Sequence, residues 1–179
     1  MRTKEILVKL LHKRAIIFPN VNDGKYSVIL TEESHDNDGF KIDEIPEDSI
    51  IIKCDMFPNL KPESPTLFFK GNKSMRRRAD YALVSESKKM IMFFELKKDS
   101  TNVKKIISQL KGAKCVIDYC EIIAEMFWEE KKIFGGFKCS YYIIRHGMQM
   151  KLSTIRIDSS DINKPRKITG STATFNELL

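Results

Sequence analysis

The chain has 179 residues, 42% of them hydrophobic and 31% charged, with 31 Lys and Arg against 24 Asp and Glu for a net charge of +7. That length suits one domain with a substantial core and is too short for two comfortable ones, and the composition excludes a disordered polymer. The positive balance favours an anionic partner, with nucleic acid the first candidate, because Lys and Arg neutralise phosphates.

Residues 3–14 read as a helix with Thr3 as N-cap and Ile6, Leu7, Leu10 and Leu11 on one face. Glu5 falls in its first turn, where the helix dipole favours an acid. From residue 18 to residue 70 the pattern is broken: residues 26–31 and 49–53 read as strands, and the acidic, Gly-containing stretch between them reads as a loop. The DNDG tetrapeptide inside that loop lacks the flanking helices and later glutamate of an EF-hand. A proline-rich connection, FPNLKPESP, leads into the short apolar run TLFF. The whole of 18–70 is expected to elaborate the core, as a side sheet beside a substrate groove.

The basic loop KGNKSMRRR follows, with Lys73, Arg76, Arg77 and Arg78 concentrated ahead of Asp80. Arg suits bidentate phosphate contact and Lys diffuse attraction. Next come two apolar runs, YALV and MIMFF, separated by a polar turn, and the second ends abruptly in Glu95-Leu96-Lys97. This pattern predicts an antiparallel hairpin. Pairing across the turn brings Asp80, at the start of the first strand, level with Glu95 and Lys97 at the end of the second. Residues two apart on a strand share a face, so Glu95 and Lys97 project together while Leu96 turns into the core. Two carboxylates and an ammonium would then meet at one spot, a donor set suited to Mg²⁺ or Mn²⁺. Other acid-x-Lys triplets occur, at Asp23, Glu86, Glu129 and Glu130, but only Glu95 closes a long apolar run.

After Lys98, residues 99–130 carry a long helical stripe through Val103, Ile106, Ile107, Leu110, Ala113, Ile117, Cys120, Ala124 and Phe127. Asp99 or Ser100 would cap it, Lys104, Lys105, Gln109 and Lys111 would decorate its outward early turns, and Trp128 and its aromatic neighbours would join the core. Residues 138–145 and 150–157 read as two final strands joined at His146-Gly147. They complete a central mixed β-sheet flanked by the two helices, an α/β single domain over 1–179. Residues 158–179 read as a polar tail, either an arm or loosely ordered.

Asp80, the Glu95-x-Lys97 tripeptide and the order of elements around them resemble the PD-(D/E)XK nuclease superfamily, the restriction-endonuclease-like fold with its αβββαβ core. The likeness runs from the first helix to about residue 157, and Ala79 stands where many members have proline. It implies a metal-dependent nuclease with Asp80 and Glu95 as Mg²⁺ ligands and Lys97 as the catalytic lysine. In some proteins of this kind an amino-terminal helix lends a glutamate to the metal, a role that would fall to Glu5. Gln109 stands where some relatives place a glutamine, but Ala113 replaces the tyrosine of the RecB-like QxxxY pattern, and that branch is not assigned.

Cys54, Cys115, Cys120 and Cys139 form no CxxC pair, which favours reduced, mostly buried thiols over zinc or disulfides. His12, His35 and His146 have no metal-site spacing. The amino terminus lacks a signal-peptide pattern and no run reaches membrane-span length, so a cytoplasmic protein with no membrane partner is expected. The expected function is a divalent-metal-dependent deoxyribonuclease, with Lys73, Arg76, Arg77, Arg78, Lys98, Lys104 and Gln109 on the nucleic acid. A homodimer would supply two sites for cutting both strands. The alternatives are an RNase, a catalytically inactive binding or assembly module of the same fold, and a small-anion or protein-partner module.

Overall fold

The computed structural model describes residues 2–31, 39–56, 77–97, 102–145 and 158–179. In chain order these form α1 (Thr3–Leu10), β1 (Ile16–Ile17), β2 (Asn20–Asn22), β3 (Lys25–Leu30), β4 (Phe40–Asp43), β5 (Ile50–Lys53), β6 (Tyr81–Ser85) and β7 (Met90–Lys97). They continue with α2 (Val103–Trp128), β8 (Lys138–Arg145), β9 (Arg166–Thr169), β10 (Thr172–Thr174) and α3 (Phe175–Leu178).

The strands make two sheets. One has six strands in the order β1-β5-β6-β7-β8-β9, the other four in the order β10-β4-β3-β2. In the larger sheet β5, β6 and β7 run antiparallel, whereas β8 returns parallel to β7 and β9 parallel to β8. A parallel return needs a crossover, and α2 supplies it. Both faces of β6 and β7 are covered, so their sequence is continuously apolar, as doubly buried strands require.

Alternation along β7 sorts the core into two layers. Met90, Met92, Phe94 and Leu96 face the smaller sheet, where Leu30, Phe40 and Ile42 meet them. Ile91 and Phe93 face α2, packing with Leu110, Ala113 and Ile117, and Leu7 of α1 lies on this side as well. Aromatic pairs fix β8 beside β7: Phe93 stacks on Tyr141 and Phe94 on Tyr142, each with ring centroids 5.2 Å apart. No helix among the described residues is long and apolar enough to cross a membrane.

Several expectations need correction. Both long helices lie on one face of the central sheet, and the second sheet covers the other, because β4 pairs with β10 across some 130 positions of sequence. The tail from residue 158 is built into the fold. It supplies β9 and β10, buries Phe175 and Leu178 of α3, and receives a hydrogen bond from the Tyr142 hydroxyl at the Leu178 carbonyl. Thr3 is no cap: Arg2 holds that position, and the buried Thr3 hydroxyl donates to the Ile133 carbonyl at 3.0 Å. The first helix stops at Leu10, well short of residue 14.

In α2 the cap is Asn102, whose side chain accepts from the Lys105 amide, rather than Asp99 or Ser100. Val103 and Phe127 lie outside the core at 39% and 78% exposure, and Trp128 is also exposed. Among the cysteines, Cys54 and Cys120 are buried and Cys115 is exposed, all as free thiols. The expected strand at 150–157, its turn at His146-Gly147, His35 and the proline-rich connection fall outside the described residues.

Candidate active site

The hairpin register is the one the apolar runs imply. Tyr81 faces Phe94 and Ser85 faces Met90, so one further step sets Asp80 opposite Glu95. The Leu96 amide donates to Asp80 Oδ2 at 2.7 Å, which ties the first carboxylate to the backbone between Glu95 and Lys97. Leu96 itself is fully buried toward the second sheet. Glu95 and Lys97 therefore turn the other way, toward α2, and Lys97 Nζ lies 2.6 Å from Glu95 Oε1.

Burial gives this trio its chemistry. The Glu95 side chain is 0% exposed and that of Lys97 19%. Apart from the ion pair with Lys97 and a weaker contact with the Gln109 side chain, the carboxylate oxygens of Glu95 have no hydrogen-bond donor among the described residues. Desolvation, and then the charge of Asp80, raise the Glu95 pKa to about 8, while Lys97 and Gln109 pull it back down. A carboxylate buried at this cost and poorly hydrogen-bonded is held at high energy. A divalent cation between Asp80 and Glu95 would relieve it.

The donors fit Mg²⁺ or Mn²⁺ in the sense that such ions take one or two carboxylates and fill the remaining positions with water and phosphate oxygens. They do not make a closed cage. Among the described residues no group of three or more His, Cys, Asp and Glu side chains is arranged to hold a metal ion.

Glu5 does not join the pair. Its carboxylate accepts from the Arg2 amide at 3.3 Å and lines a cleft with Glu47, Asp48, Glu86 and Ser87. Glu86 and Ser87 form the turn of the β6–β7 hairpin, while Asp80 and Glu95 sit at its open end. Five strand residues at about 3.3 Å each separate the two places by roughly 16 Å. The first-turn role, a partner for the helix start, is the one Glu5 fills.

Among the expected nucleic-acid contacts, Lys104 is exposed on the first turn of α2. Arg77 and Arg78 are half-buried, and Arg78 Nη1 donates to the Arg77 carbonyl at 2.8 Å, so this part of the basic loop is drawn against the protein. Lys73, Arg76 and Lys98 lie outside the described residues. Gln109 faces inward: its carbonyl accepts from the Ala79 amide at 2.8 Å, and its side-chain amide lies 3.5 Å from the Arg78 carbonyl. It holds the residues just ahead of Asp80 onto α2.

Two residues escaped the sequence reading. A Cβ on Gly112 would stand 1.8 Å from the Arg77 carbonyl, so only glycine lets residues 77–79 cross α2 this closely and deliver Asp80. A glycine within an otherwise helical stripe was the available signal. Arg145 pairs with Lys97 in the parallel β7–β8 register, on the same side of the sheet as Tyr141 and Ile143. It ends the apolar run YYII as Glu95-Leu96-Lys97 ends MIMFF.

Compared with known proteins, the chain matches no family model, no curated protein and no solved structure.

Proposed function

We propose that this protein is a divalent-metal-dependent nuclease that hydrolyses phosphodiester bonds in DNA, of the PD-(D/E)XK kind. The observation that carries the reading is the meeting of Asp80, Glu95 and Lys97 at one buried strand end, with the Glu95 carboxylate desolvated and served mainly by the Lys97 ammonium. The element order α1, β5-β6-β7, α2, β8 supports it, being the αβββαβ succession with β1–β4 inserted between α1 and β5 and with β9 and β10 following β8.

Asp80 and Glu95 would hold Mg²⁺ or Mn²⁺, which when bound neutralises phosphate charge and acidifies water. The chain's own part is positional. The Leu96 amide fixes Asp80, the closing of β7 aims Glu95 and Lys97 at the same point, and Gln109 and Gly112 hold the approach to Asp80 in place. Lys97 brings an ammonium next to the scissile phosphate, where it offsets developing charge and can guide the proton of the attacking water. Arg145, beside Lys97 in the sheet, adds a second cation suited to a phosphate oxygen.

The test is cleavage of linear duplex, supercoiled plasmid, branched DNA, single-stranded DNA and RNA, each with Mg²⁺, Mn²⁺ or EDTA, by wild type, Asp80→Ala and Lys97→Ala. Metal-dependent cutting of DNA by wild type alone is expected. Cutting confined to RNA would move the assignment to a ribonuclease. No cutting of any substrate, with equal binding by all three proteins, would overturn the catalytic reading in favour of a binding module.

A further inference from the structure

The outward face of α2 is apolar where a surface helix is normally polar. Tyr119, Ile122 and Met126 succeed one another at i, i+3 and i+7, on the side opposite the buried stripe of Leu110, Ala113, Ile117 and Ala124, and are 48%, 56% and 74% exposed. A contiguous exposed apolar surface of this kind marks an interaction site.

Charge on the same side of the helix says what fits it. Helical spacing puts Lys104 and Lys111 in line with Ile122 on its N-terminal side, and Glu125 and Glu129 in line with it on its C-terminal side, all exposed, while Asp118 beside Tyr119 is ion-paired with Lys114 at 2.8 Å. The face is thus basic toward its N-terminal end and acidic toward its C-terminal end, with the apolar residues set among the carboxylates. Nucleic acid and anionic lipid both suit it poorly, since the apolar residues are interleaved with carboxylates. A second copy of the same helix, run antiparallel, suits it well. In a two-fold contact residue i meets j and j meets i, so each basic end lies on the partner's acidic end. An axis passing near residue 120, halfway between 111 and 129, sets Lys111 of one copy against Glu129 of the other.

We infer that two copies of this chain associate through α2, antiparallel, with Tyr119, Ile122 and Met126 at the contact. The surface stands independently of the nuclease reading. One helix face is a small interface, so the association is expected to depend on protein concentration. Because Gln109 marks the active-site end of α2, eleven residues from that axis, the two sites would sit roughly 30 Å apart along the helices at 1.5 Å per residue.

Sedimentation equilibrium over a concentration series tests this, with circular dichroism to establish that each variant is folded. Wild type is expected to dimerise, and Ile122→Glu and Met126→Glu, which change only exposed positions, are expected to weaken association at least tenfold. Lys111→Glu alone should also weaken it by placing Glu against Glu129, and the double variant Lys111→Glu/Glu129→Lys should restore it. A wild type that stays monomeric at every concentration would overturn the proposal. So would a dimer that the folded Ile122→Glu variant leaves intact, or a charge swap that fails to restore association.

Discussion

The two ends of the β6–β7 hairpin both gather carboxylates, and they treat them in opposite ways. At the turn, Asp48 accepts from the Ser87 amide, the Ser87 hydroxyl at 3.0 Å and the Ser85 hydroxyl at 3.2 Å, while Glu86 accepts from the Thr3 amide at 3.1 Å. Each of these acids has donors and lies in a cleft open to water. At the open end Glu95 is fully buried, has among the described residues only the Lys97 ion pair and a weaker Gln109 contact, and lies close to a second carboxylate. Acids that brace a fold collect donors. An acid with few donors in a buried place is destabilised by its surroundings, which is what the proposed cation site would use.

The largest break in this comparison comes from exchanging one acid at each end. Glu95→Gln keeps shape and removes charge, and it is expected to lower metal-dependent cleavage by about 10²–10⁴-fold, the usual cost of losing a charge-stabilising group. Asp48→Ala should leave cleavage near wild type and cost about 1–2 kcal/mol of stability in denaturant melts, from the lost turn bonds. Equal activity of wild type and Glu95→Gln would remove the distinction between the two ends.

pH sharpens the same contrast without substrate. Because the folded-state pKa of Glu95 is raised to about 8, above its unfolded value, the native state keeps a proton that the unfolded chain loses. In EDTA, stability should therefore fall as pH rises from the ordinary carboxylate range to about 8 and level off beyond. The loss is on the order of a few kcal/mol. Urea melts across that window should show the slope in wild type and Asp48→Ala, and a flatter profile in Glu95→Gln. A wild-type profile as flat as that of Glu95→Gln would mean that Glu95 is ionised without strain.

How much of this was legible in the sequence follows from distance along the chain. Asp80 and Glu95 could be paired on paper because a single short turn joins their strands and the apolar runs set the register. The ordered tail could not, because β10 finds β4 only through the folded core, and a four-residue strand such as RKIT carries no period of its own. The stripe along α2 predicted its buried face from Ile106 to Ala124. It failed at Val103 and Phe127, since helical spacing tells which side of a helix is apolar but not how far the sheet beneath it reaches. Glu5 was assigned by resemblance alone, without any register to place it.

Gly112 links the open end to α2 and offers a smaller break. Gly112→Ala puts a methyl into the Arg77 carbonyl, so residues 77–79 must shift off the helix. Overpacking of this kind costs about 1–3 kcal/mol. The shift moves Asp80, so cleavage is expected to fall more than it does for Asp48→Ala at comparable stability. A variant that loses stability yet cuts at the wild-type rate would mean that the crossing at Gly112 supports the fold without positioning the site.

The smallest expected effect concerns Glu5, and it separates the two ends most cleanly. Its contact with the Arg2 amide and its place in the first turn of α1 predict that Glu5→Gln costs about 0.3–1 kcal/mol, the scale of a helix-end charge. The roughly 16 Å of strand between that end and Glu95 predicts no change in Mg²⁺ or Mn²⁺ affinity. Titration calorimetry on Glu5→Gln beside Asp80→Asn decides it. Weakened cation binding in Asp80→Asn alone places the metal at the open end of the hairpin. An equal loss in both would require α1 to reach the opposite end of the hairpin, an arrangement that its contacts with Glu86 and Ile133 oppose.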